Sequence, residues 1–135
     1  MTGAGAPTVE ARIRIALRWR DMDMLGHLNQ SVYHELLEEG RAELFSVTMP
    51  GGGFPFVLAR VELDHLAEVR HDHGTVDVVV RVLDVGGSSV TIENEIVLPD
   101  GTQAASGRAV LVAWDAQARR SRPLTDEERT ALGSA

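Results

Sequence analysis

Between residues 20 and 30 the chain reads Arg20-Asp21-Met22-Asp23-Met24-Leu25-Gly26-His27-Leu28-Asn29-Gln30. Carboxylates, an imidazole and amide side chains thus surround a glycine turn, with a strand-like run before it and a helix-like run after it. The mouth of a helix offers unpaired N–H groups and a partial positive charge, which suit an oxyanion or a polarised carbonyl. A carboxylate a few residues upstream is then in reach of that carbonyl's carbon. The chemistry this spacing suits is acyl transfer or hydrolysis.

The elements that must position these groups follow from periodicity. Residues 11–19 alternate, with Ile13, Ile15, Leu17 and Trp19 on one face and Arg12, Arg14 and Arg18 on the other, which predicts a half-buried strand. From Asn29 or Gln30 to Ser46 the pattern is helical, with Val32, Tyr33, Leu36, Leu37, Gly40, Leu44 and Phe45 forming one apolar face. Asn29 suits the N-cap, because its side-chain oxygen can accept from an N–H two or three residues on. Pro50-Gly51-Gly52-Gly53 predicts a loop, long enough to act as a mobile flap.

Strands are expected over Phe56 to about Leu66, over 75–85, over 88–98 and from about Thr102 to Trp114, with turns at Gly86-Gly87 and Pro99-Asp100-Gly101. The last strand carries Gly107, Ala109, Leu111 and Ala113 on one face, a row that would let a helix lie close. Leu124 to Leu132, opened by Thr125-Asp126-Glu127-Glu128, reads as a short capped helix. One domain is expected at 11–120, between a flexible N-terminus at 1–10 and a C-terminal short helix or tail at 121–135. Tight turns imply antiparallel neighbours, so the fold class is α+β: one long helix laid across a curved antiparallel sheet. Exposed sheet edges invite pairing with a second copy.

Composition removes other chemistries. The 135 residues include no cysteine, so disulfides, thiolate metal sites and a cysteine nucleophile are excluded. All 13 basic residues are arginine, which excludes Schiff-base lysine chemistry and a phosphate-loop lysine. A net charge of −7 argues against a nucleic-acid partner. The first eight residues lack the apolar core of a signal peptide, and no apolar run approaches the ~18 residues that would span a membrane. A cytoplasmic location is expected.

The run from Arg18 to Asn29, with Tyr33 and Glu38-Glu39-Gly40-Arg41 on the helix, resembles the hotdog-fold acyl-CoA thioesterases of the 4-hydroxybenzoyl-CoA thioesterase type. The strand order over about 55–115 fits the same fold. The resemblance implies that Asp23 is the catalytic carboxylate, attacking the thioester carbonyl or activating a water that does. The thioester oxygen would rest against N–H groups near Asn29, Gln30 and Ser31. It further implies an acyl-CoA or acyl-carrier thioester as substrate, no cofactor, and a homodimer or a dimer of dimers. A non-hydrolytic acyl-CoA-binding module and a hotdog dehydratase are the alternatives, the latter pairing a histidine with a carboxylate.

Each residue also has a structural reading. Asp21 is expected as a hydrogen-bond acceptor in the turn. His27 either contacts substrate or braces the turn, and Asn29 either caps the helix or positions substrate or water. Tyr33 is a core residue or a substrate-positioning one. Glu39 is the backup carboxylate, since another branch of the superfamily uses a helix glutamate. No metal is expected: His71-Asp72-His73, with His65 upstream, reads as a solvated loop, and His34-Glu35-Leu36-Leu37-Glu38 lacks the second histidine of the zinc helix motif. Gly86-Gly87-Ser88-Ser89 lacks the pattern of a nucleophile elbow. Asn94, on an apolar strand face, either meets an interface or lines a pocket.

The chain departs from the family in having Gln30 where many relatives have a second asparagine. It also reads His65-Leu66-Ala67-Glu68 where they tend to carry an aromatic residue and a proline, so the wall of the acyl pocket is expected to differ there. With few rings available, among them Trp19, Phe54 and Phe56, an aliphatic acyl group is expected. Arg60 and Arg70 are candidates to meet coenzyme A phosphates.

Overall fold

A computed structural model describes residues 9–133; residues 1–8 of the flexible N-terminus expected at 1–10 and the last two residues lie outside the described residues, while Glu10 already belongs to the first strand. Strand β1 (Glu10–Ala16) is followed by a 3-10 turn at Trp19–Asp21 and then by helix α1 (Gln30–Thr48). Strands β2 (Phe56–His65), β3 (Thr75–Val85), β4 (Ser89–Val97) and β5 (Gln103–Asp115) come next, then a two-residue strand β6 (Arg120–Ser121) and helix α2 (Asp126–Ala131). All pairings are antiparallel, in the order β1-β3-β4-β5-β2, with β6 beside β5. The curled sheet with one long helix against it is the expected hotdog arrangement. Among the described residues no helix is long and apolar enough to cross a membrane.

The helix buries the predicted face, Val32, Tyr33, Leu36, Leu37, Gly40, Leu44 and Phe45, in one core cluster with Val76, Val78 and Val80 of β3 and Ile92 and Ile96 of β4. Gly40 is what permits the approach to β3. A Cβ there would stand 2.5 Å from Val78 Cγ1 and 2.9 Å from Val80 Cγ2. Within the row of small residues on β5, Gly107 serves a different neighbour from the helix expected there. At Gly107 a Cβ would stand 1.9 Å from the Glu62 carbonyl oxygen, so the glycine admits the backbone of β2.

Two further details differ from expectation. β1 ends at Ala16, so Trp19 leaves the strand face and is 81% exposed. The Pro50 loop contains a 3-10 turn at Pro50–Gly52, with Gly51 and Gly52 at positive φ, and Met49 beside it is buried. Among the described residues, Arg41 on the helix is buried with Nη1 lacking a partner, and Asn94 is buried in β4 with both side-chain polar atoms unpaired.

Candidate active site at the mouth of the long helix

Met22 and Leu28 pair as an isolated antiparallel bridge and close the motif into a small loop. Within it Asp23 N–H donates to the His27 carbonyl at 2.8 Å, and Gly26 N–H donates to the Asp23 carbonyl at 3.1 Å. Gly26 sits at φ +78°, a conformation that costs other residues strain. The Asp23 side chain completes the loop, with Oδ1 accepting from Leu25 N–H at 2.9 Å and His27 N–H at 3.1 Å. Among the described residues no hydrogen bond reaches Oδ2. One carboxylate oxygen therefore fixes the group and the other is free.

Asp21, two residues earlier, is buried and fully engaged. It accepts from Arg18 N–H at 2.8 Å, from Arg18 Nε at 2.9 Å and from Arg18 Nη2 at 2.7 Å. The Arg18 guanidinium bonded to it holds its carboxyl below the usual aspartate range. Its backbone carbonyl accepts from Asn29 N–H at 2.7 Å, so Asp21 ties the end of β1 to the start of α1.

Asn29 is the N-cap of α1, with Oδ1 accepting from Ser31 N–H and Ser31 Oγ, each at 3.1 Å. This narrows the expected set of oxyanion donors. The amides of Asn29 and Ser31 are both occupied, whereas the Gln30 N–H has no partner among the described residues. Capping explains the selection, because Asn29 satisfies Ser31 and leaves the intervening amide at the helix mouth.

A cavity of about 510 Å³ opens beside the loop, lined by Asp23, His27, Leu28, Gln30, Tyr33 and the 65–68 segment. Tyr33 is buried edge-on against the His65 ring, with centroids 4.6 Å apart. Burial, and then the charge of Asp23, raises its phenol pKa, so the hydroxyl keeps its proton. His27 Nε2 meets Glu68 Oε1 at 2.9 Å on the far wall. A second hollow of about 620 Å³ lies against Trp19, Arg20, Met24, Gly26, Asn29 and His71 and shares Asp23 with the first.

Asp23, His27, Gln30 and Tyr33 are thus brought together, Asn29 faces the second hollow, and Ser31 serves the cap. Glu39 lines a separate hollow of about 310 Å³ with Arg18, Asp21, Glu35 and Glu38, apart from Asp23. Phe54 and Phe56 are absent from this end of the molecule; both pack on Phe45, near the C-terminus of α1. Arg60 is paired with Glu62, and Arg70 with Glu68 and Asp72, while Arg20 has no ion pair among the described residues. His71–His73 forms a 3-10 turn in which His73 Nδ1 accepts from Arg70 N–H at 2.9 Å. No group of three or more potential metal ligands forms among the described residues.

The stretch from His65 to Glu68, expected as pocket wall, does line this cavity, but its place opposite His27 was not foreseen. A family departure at 65–68 marked the stretch, but nothing in the local pattern set it opposite residues 23–30. The antiparallel bridge between His27 and Arg70, with Leu28 N–H donating to the Val69 carbonyl at 2.8 Å, brings the two segments together.

Comparison with known proteins agrees with this fold. A thioesterase from Thermus thermophilus, in complex with coenzyme A and zinc, is 33% identical with a TM-score of 0.81, covering 95% of this chain and 98% of that one. A predicted thioesterase from Bacillus stearothermophilus is 29% identical with a TM-score of 0.78, covering 91% and 93%. No curated protein matches. The family model of the thioesterase-like superfamily matches residues 17–132. The chain therefore belongs to the thioesterase-like superfamily.

Proposed function

We propose that this protein hydrolyses the thioester of an acyl-CoA, with Asp23 as the reacting carboxylate and the Gln30 N–H as an oxyanion donor. The observation that carries the reading is the division of labour at the helix mouth. Among the described residues, Asp23 is held by Oδ1 with Oδ2 free, and one first-turn amide is left without a partner beside it. Coenzyme A bound to the Thermus thioesterase supports the choice of carrier.

Two routes use the same geometry. Oδ2 adds to the thioester carbon and expels the thiolate, leaving an anhydride that water cleaves. Alternatively, Oδ2 removes a proton from a water that adds to that carbon, and the thiolate leaves as the carbonyl re-forms. In both, negative charge develops on the carbonyl oxygen, where a preorganised N–H is worth on the order of 3–4 kcal/mol. Thiolate is a good leaving group, so a strong general acid is not required. Leu28, Leu66 and Ala67 on the cavity wall, with Phe54 and Phe56 elsewhere, support an aliphatic acyl group over the aromatic one that the 4-hydroxybenzoyl-CoA type takes.

A second copy fits the edge of the sheet. β2 is the terminal strand opposite β1, and Val57 and Leu58 on it are exposed. Pairing there would satisfy the edge and cover apolar side chains.

The test is thiol release from short, long and aromatic acyl-CoAs by the wild type and by Asp23→Asn. The amide retains the Oδ1 acceptor and removes the charge. We expect turnover by the wild type and a loss of at least ~100-fold in kcat/KM in the variant, equivalent to about 2.7 kcal/mol of transition-state stabilisation. Binding of acyl-CoA by the wild type without thiol release would replace the enzyme reading with that of a binding module.

A further inference from the structure

We infer that the second hollow beside Asp23 takes the phosphopantetheine arm of the thioester, with Arg20 meeting its phosphate and Trp19 covering its chain. The inference deepens the thioesterase reading and rests on it for the identity of the ligand. A thioester has two parts joined at the sulfur, so a carboxylate that reacts at the carbonyl carbon needs room for both. Asp23 has that room. The cavity of about 510 Å³ and the hollow of about 620 Å³ share Asp23 and no other lining residue among those described. Gln30, with its free amide, and the aliphatic wall of Leu66 and Ala67 belong to the first, which leaves the second for the thiol part.

The second hollow has the chemistry for that part. Trp19, Met22 and Met24 give it apolar walls, two of them pliable thioethers. Asn29 also lines it, and its side-chain nitrogen makes no hydrogen bond among the described residues, so it can donate to an amide carbonyl of the arm. Trp19 is 81% exposed, its ring set edge-on against that of His71 with centroids 5.9 Å apart. A large ring left in water at such a rim is contact area that a ligand chain can cover. Charge points the same way. The chain carries a net charge of −7, so a phosphate needs a local cation to approach. Arg20 is the one arginine lining either hollow among the described residues, and it forms no ion pair there. Its neighbour Asp21 does not take up its charge by a direct bond, because Arg18 Nε and Nη2 already hold that carboxylate. Arg60 and Arg70, in contrast, are paired with Glu62 and with Glu68 and Asp72.

The experiment compares thioesters of one acyl group on coenzyme A, on phosphopantetheine and on pantetheine as substrates of the wild type, Arg20→Gln and Trp19→Ala. Both residues are exposed, so neither substitution disturbs the core. The wild type should prefer the two phosphate-bearing substrates by about ten-fold in kcat/KM, the size of a charge-assisted contact, and Arg20→Gln should lose that preference through KM. Trp19→Ala should raise KM about five-fold for all three. A wild type with no preference, or a preference that Arg20→Gln keeps in full, would overturn the inference. So would a loss confined to the coenzyme A thioester, which would put Arg20 against the nucleotide end. An acyl-carrier protein presents the same arm, and its kcat/KM against that of acyl-CoA decides the source; dependence on Arg20 upholds the subsite with either. An inactive wild type would instead sink the thioesterase reading. Calorimetry with phosphopantetheine and pantetheine then tests the subsite by itself: tighter binding of the phosphate form that Arg20→Gln abolishes upholds it, and equal binding by the two proteins overturns it.

Discussion

At the N-terminal end of α1, Asp23, His27 and Gln30 stand around an open cavity, with one carboxylate oxygen and one backbone amide left without partners among the described residues. At the other end, Phe45 packs between Phe54 and Phe56, with ring centroids 5.1 and 4.7 Å away, and Met49 closes the cluster. The polar groups nearby are satisfied. Arg122 donates to both oxygens of Glu128 at 2.8 Å, Glu128 also accepts from Thr125 N–H at 2.9 Å, and Thr125 Oγ1 caps α2 in return. A helix can serve both purposes because its two ends are chemically independent. One end supplies donors that a reaction can use, and the other supplies the packing that keeps them in place.

The sharpest way to break this contrast is Phe45→Ala. Phe45 is fully buried, and its removal would open a cavity among Phe54, Phe56 and Leu44 at a cost of about 3–5 kcal/mol of stability. Chemical denaturation should show that loss, while thiol release per folded molecule at low temperature stays within a few-fold of wild type. A large drop in kcat in the folded fraction would mean that the two ends are coupled. Gly26→Ala makes the opposite cut. A Cβ there meets nothing within 4 Å, so the penalty is backbone strain alone, about 1–2 kcal/mol at φ +78°. Because the loop that holds Asp23 bears the strain, kcat/KM should fall by more than the small change in melting temperature suggests. Equal proportional effects on rate and stability would show that the loop geometry is not specific to the site.

The legibility of the two ends in the sequence differs for a physical reason. Hydrophobic period and turn residues are local, so the helix face from Val32 to Phe45, the turn at Gly86-Gly87 and the Thr125 cap could all be read directly. Asn29 was legible as a cap for the same reason, although which amide its capping leaves free was not, because that depends on the bond from Asn29 N–H to Asp21. Trp19 was misplaced because a 3-10 turn breaks the alternation after Ala16. Phe54 and Phe56 were offered as site rings when only their type was known; the strand they enter carries them to the far end of the helix. Glu68 faces His27 through strand pairing across some forty residues, and no spacing rule reports such a contact.

The smallest expected effect compares the two buried carboxylates that anchor the opposite ends. The hydrogen-bonded guanidinium of Arg18 lowers the pKa of Asp21, and that of Arg122 lowers the pKa of Glu128. A folded-state pKa below the unfolded one means that the unfolded chain takes up protons first as the solution is acidified. The stability each pair contributes is therefore complete above the unfolded values, near ~3.9 for Asp and ~4.3 for Glu, and is lost as pH falls through the folded ones. Melting temperature should hold steady toward neutral pH and decline below about pH 5. Asp21→Asn and Glu128→Gln should each start lower at neutral pH and decline less steeply, converging on the wild type in acid. Both arginine partners are partly exposed, so each pair belongs toward the weak end of the ion-pair range, on the order of 1 kcal/mol. Should one variant flatten the curve and the other run parallel to wild type, the anchors would differ in kind: one end of the helix would be held by charge and the other by packing alone.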